Sequence, residues 1–203
     1  SNPRRDGIIA INLNEGDQLI QVEITDGTND IILGTSAGKS VRFHEDKVRP
    51  MGRGAAGVKG VNLNGGEADV VGMVVVKREG TLLVLSQKGY GKRTDISEYP
   101  VKNRGGKGII TLRTERVGRM IALMDVVDED DLMIITAKGI VIRQNVGCIR
   151  TIGRATGGVR LIRIGEDDWI TDVARVVKNG EDDNDKDCQD EEPELFKDNG
   201  KVD

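Results

Sequence analysis

The sequence has little of what catalysis, metal binding or membrane insertion needs. It holds one histidine, two cysteines, four prolines and five aromatic residues (Phe43, Tyr90, Tyr99, Trp169 and Phe196) among 203 residues. With His44 alone, it spells no Ser/His/Asp or Cys/His constellation. Cys148 and Cys188 stand 40 apart without metal-ligand spacing, so neither a zinc site nor a disulfide framework is indicated, and a reducing cytosol is the expected setting. No uninterrupted apolar run approaches the roughly 20 residues of a membrane helix. No apolar segment follows Ser1–Asp6 to serve as a signal peptide. Convincing 3.6-residue amphipathic spacing is missing too. Glycine, by contrast, is abundant at 27.

Charge is unevenly divided. Residues 179–203 hold 11 acids against Lys186, Lys197 and Lys201, a net of −8, which leaves residues 1–178 with 23 acids, 27 bases and a net of +4. Two regions are therefore expected: a weakly basic body over 1–178 and an acidic tail over 179–203. The tail's carboxylates repel one another and bring almost nothing apolar to bury, so it is expected to stay disordered.

The body repeats. Gly38, Gly89 and Gly139 are each followed four residues later by an arginine: Arg42, Arg93 and Arg143. Eleven residues further stand Arg53, Arg104 and Arg154, and four beyond those Gly57, Gly108 and Gly158. Gly7-Ile8-Ile9-Ala10-Ile11 matches Gly108-Ile109-Ile110-Thr111-Leu112, fifty residues ahead of the Gly57 copy. Each unit opens on a short apolar run (Ile31–Leu33, Leu82–Leu85, Leu132–Ile135) that a glycine turn ends within a few residues, the mark of a buried strand and a hairpin. A third strand is expected at 58–63, 109–112 and 159–164. A fourth is expected at 70–76, 120–127 and 169–177, with 19–24 as its counterpart ahead of the first unit. Four strands in about 50 residues is propeller-blade size. The fold class is therefore all-β, a partial ring of propeller-like blades, with an upstream remainder expected to complete it.

Other motifs lead nowhere chemical. Gly34-Thr35-Ser36-Ala37-Gly38-Lys39-Ser40 nearly spells a phosphate-binding loop, but has three residues between its glycines and a strand after it instead of a helix. Asp128–Asp131 reads as a solvated hairpin loop, since neighbours on an extended chain point apart. What recurs is cation. Lys39, Arg42, Lys92, Arg93 and Arg143 follow the hairpin turns, while Arg49, Arg53, Lys59, Lys102, Arg104, Lys107, Arg154 and Arg160 flank the glycine loops, including Gly105, Gly106 and Gly108. In a ring these positions would form one curved basic rim that meets phosphates at regular intervals, with glycine backbone N–H groups helping.

Lys102-Asn103-Arg104-Gly105-Gly106-Lys107-Gly108 shares its last five residues with the box Gln-Arg-Arg-Gly-Gly-Lys-Gly, with Lys102 in place of its Gln and Asn103 in place of its first Arg. Together with Gly7–Leu13, Val48–Arg53, Gly89–Thr94, Ile96–Pro100 and Gly153-Arg154, it makes residues 1–178 resemble the C-terminal β-pinwheel family of DNA gyrase A. The resemblance implies a module that wraps duplex DNA around the rim residues just named and has no catalytic residues or cofactor of its own. It further implies a bacterial, cytoplasmic, nucleoid-associated A2B2 enzyme, a type II topoisomerase whose breakage-reunion core precedes this region. Gyrase B would be the partner, and ATP and Mg2+ would be used by the whole enzyme to introduce negative supercoils. Two alternatives stand beside it: the corresponding domain of topoisomerase IV, and a protein-interaction scaffold with a basic rim.

Overall fold

A computed structural model describes residues 7–63 and 65–177. The acidic tail expected over 179–203 lies outside the described residues. Eleven strands follow one another: β1 Asp30–Thr35, β2 Lys39–His44, β3 Val70–Val76, β4 Thr81–Ser86, β5 Tyr90–Asp95, β6 Ile109–Ile110, β7 Met120–Val126, β8 Asp131–Thr136, β9 Val141–Asn145, β10 Val159–Arg160 and β11 Ile170–Val176. The all-β reading holds, since the only helical elements among the described residues are three single 3₁₀ turns. No helix there is long and apolar enough to cross a membrane.

Each sheet is built on a hairpin, β1–β2, β4–β5 or β8–β9, whose first strand also pairs antiparallel with the long strand that closes the unit (β3, β7 or β11). The outer strand does not come from the same unit. β6, in the second unit, pairs with β2 of the first, and β10, in the third, pairs with β5 of the second. The sheets therefore run β3-β1-β2-β6, β10-β5-β4-β7 and β11-β8-β9. This corrects the expected third strand: it is two residues long and belongs to the neighbouring sheet. The expected strands at 58–63 and 19–24 do not form. The hairpin that 58–63 would join belongs to no described unit.

Continuous apolar runs arise where a sheet is covered on both faces, as the second is. Alternate residues of β4 point opposite ways. Leu82 and Val84 pack with Ile32, Val74, Tyr99 and Met120, whereas Leu83 and Leu85 pack with Leu132, Ile134, Val146 and Ile170. All four β4 leucine and valine side chains are fully buried, each stabilising the fold by about 1.5–3 kcal/mol relative to exposure. A smaller cluster, Ile31, Val41, Phe43, Val61 and Val75, covers the other face of the first sheet.

The 3₁₀ turns at Glu45–Lys47, Ile96–Glu98 and Val146–Cys148 recur at one place in each unit. A side chain just before each turn caps it: His44 accepts from the Asp46 amide, Asp95 from Ser97 and Asn145 from Gly147. Cys148 lies within the third turn.

Candidate nucleic-acid interface

The junction between units starts from glycine. Gly38 and Gly108 have φ of 72° and 76°, and a Cβ would stand 2.1 Å from the Leu112 carbonyl oxygen and 2.8 Å from that of Ser40 respectively. Only glycine permits both the conformation and the approach. The Gly38 carbonyl then accepts from the Thr111 and Leu112 amides at 2.8 and 3.0 Å, and the Gly89 carbonyl repeats this with Leu161 and Ile162 at 2.9 and 3.3 Å. So the chain after each glycine loop is sewn onto the hairpin of the preceding unit.

Two repeated arginines finish the seam. Arg42 pairs with Asp30 at 2.8 Å and donates from Nη1 to the carbonyls of Ile96 and Tyr99, at 2.8 and 3.0 Å, at the next unit's 3₁₀ turn. Arg93 does the same one unit on, with Nε donating to the Ile149 carbonyl at 2.7 Å and Nη1 pairing with Asp128. Arg104 reaches back the other way, from Nε to the Lys47 carbonyl at 2.8 Å and from Nη1 to that of Lys59 at 3.1 Å. Arg154 repeats it toward the Ile110 carbonyl.

The expectation that the recurring cations stand together on one rim is therefore corrected. Arg42, Arg93 and Lys92 turn inward, Lys92 with no exposed surface and Arg93 with 6%. Their charges recur because the junction recurs. Arg104 and Arg154 are half-buried, with donors spent on neighbouring carbonyls. Arg143 is half-exposed on the third hairpin and pairs with Asp131 at 2.7 Å.

What the fold does gather is the first junction. The Gly105 amide donates to the Gly60 carbonyl at 2.6 Å, Asn62 to Gly106 at 2.8 Å and Lys102 to Arg42 at 2.8 Å. A Cβ on Gly108 would lie 3.3 Å from Lys39 Cβ. Lys39, Lys59, Lys102, Arg104, Gly105, Gly106, Lys107 and Gly108 thus share one surface. Lys59, Lys102 and Lys107 on it are exposed, and Lys59 donates to Asn62 at 3.2 Å. Arg160 lies at the second junction, its guanidinium on the Tyr90 hydroxyl at 2.7 Å and 5.3 Å from the ring centroid. Arg49 and Arg53 are exposed in the first unit's loop. Among the described residues Lys39, Arg49, Arg53, Lys102 and Lys107 have no carboxylate within ion-pair distance.

The carboxylates are engaged elsewhere. Asp125 on β7 receives Arg78 at 3.0 Å and Arg175 of β11 at 2.8 Å, and Arg78 also holds Asp130 at 3.0 Å. Asp128–Asp131 is a solvated hairpin loop only in its first half: Asp128 and Glu129 stand exposed in the β7–β8 turn, whereas Asp130 and Asp131 are buried. Asp128 takes Arg93, Asp130 takes Arg78 and Asp131 takes Arg143. Sequence spacing gives no sign of this hub, because Arg78, Asp125 and Arg175 do not repeat. The capping residues at 44, 95 and 145 do keep the repeat spacing and are a legible signal for the 3₁₀ turns.

Stacked, strand-sharing units, two with four-stranded sheets and the third with three, and a first junction whose exposed cations meet no carboxylate among the described residues define the class: a propeller-type repeat protein with a basic junction surface. Within that class, the DNA gyrase C-terminal domain, beta-propeller, matches residues 1–26, 29–77, 80–124 and 130–176, and the chain belongs to that family. The DNA gyrase A protein of Salmonella typhimurium (strain LT2) is 46% identical over 179 residues, covering 88% of this chain and 20% of the relative. That of Staphylococcus aureus is 45% identical over 192 residues, 93% of this chain and 22% of the relative. The chain thus spans about a fifth of the length of these curated relatives. Among solved structures, a DNA gyrase A C-terminal domain superposes with TM-score 0.74 at 23% identity, over 85% of this chain and 59% of that one. The C-terminal domain of a DNA topoisomerase IV superposes with TM-score 0.78 at 29% identity, over 83% and 53%.

Proposed function

We propose that this chain binds and bends duplex DNA as the wrapping module of a gyrase A-type protein. The observation that carries the reading is the first junction surface: among the described residues Lys39, Lys102 and Lys107 meet no carboxylate, and they stand beside the Gly105-Gly106 loop, whose Gly106 is exposed. An extended polyanion supplies what such a surface lacks, and duplex DNA offers phosphates at regular spacing. No described element resembles a recognition helix, so affinity would come from phosphate contacts and from the shape of bent DNA. In the whole protein the partners would be the breakage-reunion part of gyrase A and the separate gyrase B chain, in an A2B2 complex in the bacterial cytoplasm at the nucleoid. ATP and Mg2+ would be used outside this chain, which supplies no catalytic group of its own. Curated relatives at 45–46% identity are gyrase A proteins, which favours gyrase over topoisomerase IV.

The test is duplex affinity against salt for the wild type and for Lys102→Gln with Lys107→Gln. Each lost phosphate contact should flatten the log–log slope by about 0.9, so the double variant should lose up to about 1.8 and bind more weakly at every salt concentration. Lys77→Gln is the control, because Lys77 already faces Glu23 at 3.9 Å and should leave the slope unchanged. A scaffold for an acidic protein would show no measurable duplex binding at low salt.

A further inference from the structure

Lys92 is the one cation of the repeat that is wholly buried. Its counterparts in the first and third units are Val41 and Ile142, so the β5 position accepts an apolar side chain and the ammonium is an addition peculiar to the second junction. Nζ lies 2.8 Å from the Gly153 carbonyl and 3.0 Å from Thr156 Oγ1, and also donates to the Arg154 carbonyl. In the protonated form three N–H donors thus meet three acceptors, all on one turn of the next unit. Thr94, two residues along β5, holds the same turn through the Ile152 carbonyl at 3.0 Å. The charged groups facing this ammonium are Glu98, which accepts from the Arg154 amide at 2.8 Å, and Arg154 itself.

The two junctions fasten their glycine loops differently. Asn62 donates to the Gly106 carbonyl at 2.8 Å, and Arg113 donates equivalently to Thr156 at 3.1 Å. The first loop adds a bond from the Gly105 amide to the Gly60 carbonyl. Ala155, the counterpart of Gly105, makes no such bond to Thr111 among the described residues. Lys92 supplies the missing fastening from the opposite side, through a side chain instead of backbone.

We propose that Lys92 is a positioning residue, not a phosphate contact: it locks the Gly153–Thr156 turn of the third unit against the hairpin of the second and so sets that turn for DNA. The inference rests on the DNA-wrapping reading for its consequence but not for the lock itself. A buried ammonium has no surface to offer a phosphate. Its removal leaves the Gly153 and Arg154 carbonyls short of a donor and the turn free to move.

The experiment uses the full chain with Lys92→Met and Lys92→Arg, each read by thermal midpoint, duplex affinity across a salt series, and amide exchange over residues 153–158 and over β4. Met approximates the length of the lysine stem, and the precedent of Val41 and Ile142 implies that this variant folds. The expected result is faster exchange over 153–158 in Lys92→Met with β4 unchanged, and affinity weakened about three- to tenfold, the cost of re-ordering one loop on binding. Lys92→Arg should not restore affinity, because a planar fork cannot direct its donors at three acceptors converging on one point. Full affinity with arginine would make Lys92 an ordinary phosphate cation and overturn the proposal. So would wild-type exchange over 153–158 in Lys92→Met. If the wild type itself binds no duplex, the DNA reading falls and the positioning role with it, whereas the exchange result still decides whether the lock exists.

Discussion

At the scale of single residues, two buried titratable groups one strand-end apart give the fold an unusual alkaline profile. Burial pushes the Lys92 ammonium down to about 7, with Arg154 adding to the effect and Glu98 opposing it. Burial pushes the Tyr99 hydroxyl up to about 12. For Lys92 the unfolded chain holds its proton up to about 10.4 and the folded chain only to about 7, so the unfolded state binds more protons between those values. Stability must then rise with pH across that window, by at most about 1.4 kcal/mol per unit. For Tyr99 the folded group keeps its proton longer than the unfolded one, so its contribution is whole below about 10 and is lost as pH climbs toward about 12. Urea midpoints at pH 7, 8.5 and 10 should therefore increase in the wild type and then turn down above pH 10. Lys92→Met should lose the rising limb and keep the fall. Parallel profiles in the two proteins would show that Lys92 is not the group responsible.

At the scale of elements, the same arginine does different work depending on whether a following unit receives it. Arg42 and Arg93 are each anchored to a carboxylate of their own junction and to the 3₁₀-turn carbonyls of the next unit. Arg143 has Asp131 and half its side chain in solvent. Removing Arg93 strands the buried Ile149 carbonyl, a loss of about 1–3 kcal/mol for the unmet acceptor alone. Arg143→Ala removes a half-exposed guanidinium and leaves the buried Asp131 carboxylate to the Asn145 side-chain amide at 2.9 Å, so a smaller loss, of about 1 kcal/mol, is expected. Denaturant unfolding of Arg93→Ala beside Arg143→Ala checks this, and equal losses would mean that the junction bond contributes nothing. The comparison also shows what the sequence could and could not convey. The hairpins and the closing strands were legible to within a residue or two, because buried runs ending at a repeated glycine are set by local chemistry. The exchange of the outer strand was not, since Ile109-Ile110 reads the same whether it pairs with its own hairpin or with the previous one. Nor could the spacing of Arg42, Arg93 and Arg143 separate a staple from a phosphate contact. A repeat preserves whatever each unit needs, and here the units need one another as much as any ligand. Of the cations left for a ligand, Lys39, Lys102 and Lys107 lie outside the strict arginine pattern, and Arg53 is the one member of that pattern that stands exposed with no carboxylate beside it among the described residues.

At the scale of the whole molecule, the chain carries two opposed charges on one polymer. The body has a net of +4, and its unpaired cations face outward at the first junction; residues 179–203 carry −8 on the same chain. A tethered polyanion competes with a free one at an effective concentration set by the tether, which for a short flexible linker is of millimolar order. If residues 179–203 compete in this way, a duplex at micromolar concentration would have to displace them to reach Lys102 and Lys107. The competition is electrostatic on both sides, so it should be strongest at low salt and fade as the Debye length shrinks to about 8 Å at physiological ionic strength. Deleting Asn179–Asp203 should therefore tighten duplex binding at low salt, and the two binding curves should converge as salt is raised. A titration of the two forms in parallel over a salt series measures this directly. If the tail merely solubilises the chain, the curves superimpose at every salt concentration. If it competes, their separation at low salt gives the free energy with which the −8 segment occupies the surface that DNA would take.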